Sequence, residues 1–566
     1  MVIQSPLPPI KEPQVGLIQF LFANTNNTPE DRKMLIDAST GKSLTLRQLK
    51  DAILRFAAGL QDKYNFKKGD TVVIYSPNQY DYSVPFFGII AAGGAASPAN
   101  PSYTTRELVY QMEAIKAKIL LTHESNINTA LEAAQQVGLP KSNILLFGDK
   151  SIDGVLTYKQ VLLGSRHVVL QDLTPEETKD TVACLCFSSG TTGNIFWILN
   201  EGNTKYLTSI IINTLSGKSK GVMTTHANMT ANILQYCMLE EKFVSGNHDR
   251  MLATIPFYHI MGLSLMLHVA LYLGIPVHVM SKFDLSQFCE TIQREKITFT
   301  IIAPPIVVLL AKSPVIDNYD LSSLRLAICG AAPLSGDLSK QVRQRLPKIK
   351  IKQGYGLTET SPCAIIEPTD RIIDGSVGVL LSNMTARIVD DNGKDVPVGE
   401  RGELWLKGPN VMKGYINNPE ATAECIDSEG YFHTGDIAVQ DKNGHFYIVD
   451  RIKELIKFKG FQVPPAELEA LLLKSPIVAD CGVVGVYNDE LATEVPRGYV
   501  VLKPGVPATE QTANEIKKYI AGMVAYYKQL HSIVFVNEIP KNPSGKILRR
   551  ILRDAAATEV KSKAKL

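Results

Sequence analysis

Between residues 45 and 60, Leu46, Leu49, Ile53, Phe56 and Leu60 recur at the three- and four-residue spacing of one helical face, with Thr45 placed to cap it. The β-branched run Thr71 to Tyr75 then predicts a strand. Further along, the apolar stretches Thr181 to Phe187, Ile297 to Ala303, Leu324 to Cys329 and Ile349 to Lys352 read as buried strands, with a helix over Leu334 to Leu346 between two of them. Such alternation predicts a layered α/β body. From about residue 384 the strands shorten and turn sequences multiply. Asp391-Asn392-Gly393, Glu429-Gly430 and Lys442-Asn443-Gly444 read as hairpin turns. The last ~115 residues have the size and pattern of a small α+β domain. The expected organisation is therefore a large α/β body of several subdomains over 1–449 and a smaller α+β C-terminal domain over 450–566. No internal repeat or low-complexity tract interrupts it.

A length of 566 residues agrees with that division, since a single core does not grow so large. A formal charge of only +3 gives no ground for a nucleic-acid partner. No apolar run spans a bilayer: Val84 to Ala99 is broken by glycines and a proline, and the N-terminus lacks a basic-then-apolar leader. The eight cysteines form no CxxC pair, and Cys184 and Cys186, two apart in a strand, should fill one face as buried thiols. A reducing compartment follows. Ala564-Lys565-Leu566 has the small–basic–Leu form of a peroxisomal address, which makes an import receptor an expected partner and the peroxisome, otherwise the cytoplasm, the expected location.

The chemistry-bearing segments come next. Ser188-Ser189-Gly190-Thr191-Thr192-Gly193 follows a strand; its small residues let backbone amides approach phosphate oxygens and its hydroxyls add donors. It lacks the spacing of a Walker loop. Cys329-Gly330-Ala331-Ala332-Pro333 is a strand end of tiny side chains, open to a planar group. In Gln353-Gly354-Tyr355-Gly356-Leu357-Thr358-Glu359-Thr360 the glycines should shape a tight loop. There Tyr355 offers a face to a base, Thr358 a donor to phosphate, and Glu359 an oxygen ligand for Mg²⁺. Asp436, in Tyr431-Phe432-His433-Thr434-Gly435-Asp436, can accept from both hydroxyls of a ribose, with Arg451 of Asp450-Arg451-Ile452-Lys453-Glu454 assisting.

These segments, together with Pro256-Phe257-Tyr258-His259-Ile260-Met261, Lys457-Phe458-Lys459-Gly460-Phe461 and Pro543-Ser544-Gly545-Lys546, match in order the motifs of the adenylate-forming superfamily. The chain is similar to its 4-coumarate–CoA ligases and related peroxisomal acyl-CoA ligases from about residue 40 to 555. The resemblance implies ATP, Mg²⁺ and coenzyme A as ligands, and a hinge near 450–453 that turns the small domain between two half-reactions. By that resemblance Lys546 bridges the substrate carboxylate and the phosphates, with His259, Thr358 and Glu359 as further catalytic groups. ATP or AMP would contact the 188–193 loop, Lys220, Ala331, Gln353, Gly354, Tyr355, Asp436, Arg451, Lys453 and Lys457. Coenzyme A would contact Lys282, Lys459 and Gly460. His259, Met261, Gly330 and Ala331 would line the acyl pocket. Plant coumarate ligases carry Tyr where this chain has Met261.

One departure stands out. The family's phosphate loop runs directly into a lysine-bearing stretch, which here appears only at Lys218-Ser219-Lys220-Gly221-Val222. Residues 194–217, rich in Asn, Ile, Leu and Thr and containing Trp197, lie between. Their removal restores an uninterrupted loop, which points to a retained in-frame intron rather than a loop insertion. The expected reaction is ATP-dependent joining of an aryl or medium-chain carboxylic acid to coenzyme A through an acyl-adenylate. The alternatives are adenylation for another acceptor, as in luciferase or carrier-protein loading, and a splice or gene-model variant disabled by the insert.

Overall fold

The computed structural model describes residues 2–188, 219–330, 334, 336–459, 461–488, 491, 493–542 and 545–563. The helix expected behind Thr45 runs over Leu46–Tyr64. Thr45 accepts from the Gln48 amide, Gln48 bonds back to the Thr45 amide, and Asn65 ends the helix in the left-handed region. Leu49, Ile53, Phe56 and Leu60 are buried, and Gly88 of the helix Ser83–Ala91 lets Phe56 pack where a methyl group would stand 2.5 Å from its ring.

Three sheets build the larger part. A seven-stranded sheet has the order Gly414–Tyr415, Gly221–Thr225, Val182–Phe187, Ala95–Ala99, Thr71–Tyr75, Ile119–Thr122, Ile144–Leu146. A nine-stranded sheet carries a parallel run of Lys350–Gly356, Leu326–Cys329, Phe299–Ile302, Met251–Ala253, Val277–Val279 and Lys33–Asp37, each flanked by helices. The inner strands Leu326–Cys329, Phe299–Ile302, Met251–Ala253 and Val277–Val279 are buried throughout, which is why they read as largely apolar runs. The third sheet is five-stranded, and the hairpin Phe432–Gln440/Phe446–Arg451 turns at Lys442-Asn443-Gly444 as expected. Cys184 and Cys186 are both buried thiols, their sulfurs 3.5 Å apart. Among the described residues no helix is long and apolar enough to cross a membrane.

After Arg451 the chain leaves the five-stranded sheet and builds a smaller unit. It holds the hairpin Ile456–Phe458/Phe461–Val463, a three-stranded sheet of Val478–Asn488, Thr493–Leu502 and Ser532–Phe535, and helices Pro465–Leu472, Glu510–Ala521 and Arg549–Lys563. Leu468, Leu472, Val483, Val500, Ile516 and Ile520 form its own core. Several contacts join it to the larger part, among them the Ala466 amide donating to Asp450 Oδ2 at 3.0 Å. Lys474 pairs with Asp337 at 2.7 Å, and Gly545 lies so close to Pro305 that a methyl there would stand 2.8 Å from the ring.

Two expectations need correction. The helix predicted from Leu334 begins at Gly336. The strand predicted to stop at Lys352 runs to Gly356, so Gln353-Gly354-Tyr355-Gly356 is strand rather than tight loop. These residues stay extended because Gly354 and Tyr355 pair with Ile366 and Ile365 of the antiparallel strand Cys363–Ile366. Glycine is required at 356, where a Cβ would lie 1.8 Å from the Pro362 carbonyl oxygen.

Candidate functional site

The parallel strands Phe299–Ile302, Leu326–Cys329 and Lys350–Gly356 end on the same side of their sheet, the side on which ligands of open α/β sheets bind. Several chain segments deliver side chains to it. The strand Lys350–Gly356 presents Tyr355, whose hydroxyl donates to Asp436 Oδ2 at 2.6 Å. Asp436 faces Arg451 across the hairpin ladder, and the guanidinium reaches its Oδ1 at 3.0 Å. Both partners expected at a ribose are therefore in place, and Tyr355 is tied to them. Burial works against the charge of Arg451, yet Asp436, Tyr355, Glu454 and Glu359 together hold its pKa above the ordinary value.

Beyond Gly356 the chain forms a short turn, Thr358–Thr360, closed by Thr360 accepting from the Leu357 amide. Glu359 is buried there. Its Oε1 accepts a 2.7 Å hydrogen bond from the Tyr415 hydroxyl, and its carbonyl accepts from the Met412 amide at 2.8 Å. The Lys220 ammonium stands 4.5 Å above the Tyr415 ring. Tyr415 itself pairs with Val222 of the strand that follows Lys220. Thus Tyr415 couples the Lys220 arm to the Glu359 turn. Ser188 and Lys220 pair directly, Ser188 N–H to the Lys220 carbonyl at 2.9 Å and Lys220 N–H to Ser188 Oγ at 3.2 Å.

Lys546 enters from the small unit. Its turn is set by Asn542, whose side chain accepts from the Lys546 amide, and by Gly545 at φ +82°. Desolvation first, then the positive charge of Arg451, pushes the Lys546 ammonium down to about 8. His259 lies within its field. Burial, aided by Lys546, pushes that imidazole down to about 4, so it is neutral near pH 7. His259 Nδ1 accepts from the Met261 amide at 3.3 Å. Met261 in turn crowds Gly330, where a Cβ would meet its sulfur at 2.8 Å. His259, Met261, Gly330 and Gly354 are thus contiguous, and the charge of Lys546 reaches the His259 imidazole.

Beneath the site lies a polar network that sequence reasoning missed. Lys352 is fully buried in an ion pair with Glu240, and Thr369 donates to the same carboxylate at 2.7 Å. Gln353 accepts from the Leu334 amide, donates to the Ser376 carbonyl, and gives its own amide to Glu367. Burial pushes the Glu367 carboxyl up to about 7. Apart from Gln353, no motif marks these residues, since their partners lie far away in sequence. Tyr415, 56 positions from Glu359, was missed for the same reason.

Comparison with known proteins follows this geometry closely. Residues 21–194 and 216–416 match the family described as AMP-binding enzyme, and 467–546 match the AMP-binding enzyme C-terminal domain. The chain belongs to the AMP-binding enzyme family. A 4-coumarate–CoA ligase of Petroselinum crispum is 35% identical over 99% of this chain and 97% of its own. The ATP-bound structure of MatB from Rhodopseudomonas palustris is 26% identical, with a TM-score of 0.80 over 95% of this chain and 98% of that one. The O-succinylbenzoate coenzyme A synthetase of Bacillus subtilis, solved with ATP and magnesium, is 26% identical. Its TM-score is 0.76 over 95% and 99%.

In this AMP-binding enzyme the remaining expected residues divide in two. Lys282, Lys453, Lys457 and Lys459 are exposed, and none joins the Asp436–Lys546 cluster through a described contact. Ser189, Gly190, Thr191, Thr192, Gly193, Ala331, Gly460, the segment 194–217 and the tail Ala564-Lys565-Leu566 lie outside the described residues. The residues present fit a magnesium ion. Glu359 gives one oxygen to Tyr415 and keeps a second for a hard cation. Among the described residues no cluster of three or more His, Cys, Asp or Glu could form an all-protein cage. Mg²⁺ shared with nucleotide phosphates needs no such cage.

Proposed function

We propose that this protein is an AMP-forming acid–thiol ligase that activates a carboxylic acid with ATP and passes the acyl group to coenzyme A. The observation that carries the reading is the clustering of Lys546, Arg451, Asp436, Tyr355 and Glu359, drawn from both parts of the chain, within one another's electrostatic reach. Attack of a carboxylate on the α-phosphorus of ATP brings anion to anion. The protein must therefore supply positive charge and alignment rather than a nucleophile. Lys546 provides the mobile cation, Arg451 and Asp436 fix the ribose, and Tyr355 offers its ring to the adenine. Thr358 is the proposed donor to the α-phosphate. Mg²⁺, when bound at Glu359, neutralises phosphate charge. His259, uncharged, borders the acyl site without adding a competing cation. Pyrophosphate leaves in the first half-reaction and AMP in the second, in which the coenzyme A thiol attacks the adenylate carbonyl. Lys282, Lys459 and Gly460 are the proposed coenzyme A contacts, and Lys453 and Lys457 the phosphate contacts of that second state.

The substrate is proposed to be an aryl, 4-coumarate-like acid or a medium-chain fatty acid. Met261 closing on Gly330 supports an apolar wall at the place where plant relatives carry a phenol. Thioester formation measured across a panel of such acids tests this, and release of AMP that is independent of coenzyme A would instead favour another acceptor.

One observation favours a second reading of the chain as written: the family match halts at residue 194 and resumes at 216, within the phosphate loop. The intervening residues are proposed to come from a retained intron and to disable the loop. Transcript sequencing decides this; if every mature message encodes 194–217, the intron origin is wrong. Import into peroxisomes through Ala564-Lys565-Leu566 is proposed on the tail sequence alone. Microscopy of the full chain with and without those three residues tests it.

A further inference from the structure

The strand Thr71–Tyr75 of the seven-stranded sheet leads through Ser76-Pro77-Asn78 toward the helix Ser83–Ala91. Asn78 is buried, and both ends of its side-chain amide are spent on a segment that follows the other large sheet. Its Nδ2 donates to the Ile255 carbonyl at 3.1 Å, and its Oδ1 accepts from the Phe257 amide at 2.7 Å. The amide therefore pairs with the backbone on both sides of Pro256, as a neighbouring strand would. Those residues come just after the strand Met251–Ala253 and open the turn that carries His259. One side chain thus pins the His259 turn to a segment 177 positions away.

Beyond the pin the turn is closed on itself. The His259 amide donates to the Pro256 carbonyl at 3.1 Å, and a Cβ at Gly262 would stand 2.3 Å from the same oxygen. A displacement of Ile255 to Phe257 is therefore passed on to His259. The anchor itself is firm. Ahead of Asn78, Thr122 Oγ1 donates to the Tyr75 carbonyl at 3.2 Å; behind it, Asp81 accepts from the Tyr158 hydroxyl at 2.7 Å. At the far end of the helical segment Gly262–His268 the restraint is of another kind. His268 is buried against Phe86 and Phe87, ring centroids 5.5 and 5.2 Å away, and neither ring nitrogen has a hydrogen bond among the described residues. Asn78 governs one end of this stretch and aromatic packing the other. Without Asn78 the Ile255 carbonyl and Phe257 amide would be buried and unpaired, a cost the chain relieves by moving the turn.

We propose that Asn78 is a positioning residue for the acid substrate. By holding Ile255 and Phe257 it sets where the His259 imidazole stands against Met261 and Gly330, the proposed lining of the acyl pocket. Tyr355, Asp436 and Arg451, the proposed nucleotide contacts, come from other segments, so ATP binding is independent of the pin. The proposal rests on the acid–thiol ligase reading and deepens it on the side of the acid.

The test uses Asn78→Leu, which keeps a branched shape, leaves no room for a replacing water and removes both hydrogen bonds. Histidine-selective NMR of the full chain reads the turn directly, with signals assigned through His259→Ala and His268→Phe. The His259 signal is expected to move in Asn78→Leu while that of His268 stays. ATP–pyrophosphate exchange, measured with and without residues 194–217, reads the consequence. There kcat/KM for the acid should fall about tenfold or more, the scale of losing one or two neutral hydrogen bonds, with KM for ATP as in the parent. An unmoved His259 signal, equal movement of both histidines, or equal loss of specificity for acid and ATP overturns the proposal. Should Asn78→Leu not fold, Asn78→Asp, which keeps the acceptor for the Phe257 amide and loses the donor, carries the same expectations. Failure of the ligase reading looks different: no exchange by the parent with any acid in either form, while the His259 signal still depends on Asn78. Exchange by the parent with acid specificity unchanged in the variant would sink the positioning role alone.

Discussion

The phenol of Tyr415 donates to Glu359 at 2.7 Å while the ammonium of Lys220 rests 4.5 Å above the same ring. One side chain thus sets the distance between a cationic arm and a carboxylate that come from different sheets. A neutral-to-charged hydrogen bond of this kind contributes roughly 1.5–3 kcal/mol.

Tyr415→Phe keeps the ring and removes only the donor. It is expected to lower the rate of ATP–pyrophosphate exchange about tenfold and to raise the magnesium concentration needed for half-maximal rate, with little change in melting temperature. Unchanged magnesium dependence would show that Glu359 needs no such restraint.

Lys546 is expected to serve only the first half-reaction. Lys546→Ala should reduce pyrophosphate exchange by at least about a hundredfold, as losing a preorganised charge at a developing anion commonly does. Thioester formation from supplied acyl-adenylate should persist. Equal loss of both halves would contradict the assignment.

The pH profile follows from two shifts. Lys546 carries its charge below about 8, so kcat/KM for adenylation should fall as pH rises through that value. His259, pushed down to about 4, is already neutral from pH 5 upward and should add no limb between 5 and 7. Rate measurements with the free enzyme from pH 5 to 10 check both, and an acid limb near 6.5 that disappears in His259→Ala would contradict the second.

Lys352 and Glu240 are wholly buried against each other. Lys352→Met leaves the Glu240 carboxylate without its cation and should destabilise the fold by roughly 3–5 kcal/mol. The double change Lys352→Met with Glu240→Leu should recover much of that. Chemical denaturation of the three proteins measures it, and a single variant as stable as the parent would show the pair to be dispensable.

Deleting 194–217 should alter chemistry far more than stability. The connection from Ser188 to Lys220 shortens from 33 residues to 9 (33 − 24), which by loop-closure entropy alone is worth about 1 kcal/mol. Pyrophosphate exchange should appear, or rise manyfold, in the shortened protein. Equal exchange in both forms would show that the inserted residues do not disturb the phosphate loop.

Much of the fold was written in local pattern. The helix Leu46–Tyr64 and the strands Thr71–Tyr75 and Val182–Phe187 announce themselves through period and burial, because each buries a face its own residues define. Asp436 and Arg451 were legible as neighbours because a hairpin joins them. What escaped was set by distant partners. The strand through Gly354 and Tyr355 exists because Ile365 and Ile366 pair with it, and glycine there would otherwise signal a loop. Tyr415 and Glu240 gain their roles from contacts 56 and 112 positions away, which no spacing rule reaches. Lys457 and Lys459 were picked out by motif, and their exposure in this arrangement reflects which side of the small unit faces the site.

The path out of the five-stranded sheet has a mechanical consequence. Arg451 is held on the Asp436 side by the ladder and its ion pair, whereas Glu454 is clamped to the small unit by Arg549, which also grips Glu469 at 2.6 Å. Only Ile452 and Lys453 separate these two anchorages. Any swivel of one body against the other must be absorbed by the φ and ψ of those two residues. It must first break the bond from the Ile452 amide to the Gly435 carbonyl and those from the Glu454 and Leu455 amides to Arg451. A proline at 453 would therefore act as a splint, holding φ there at about −65° and admitting only the poses compatible with it.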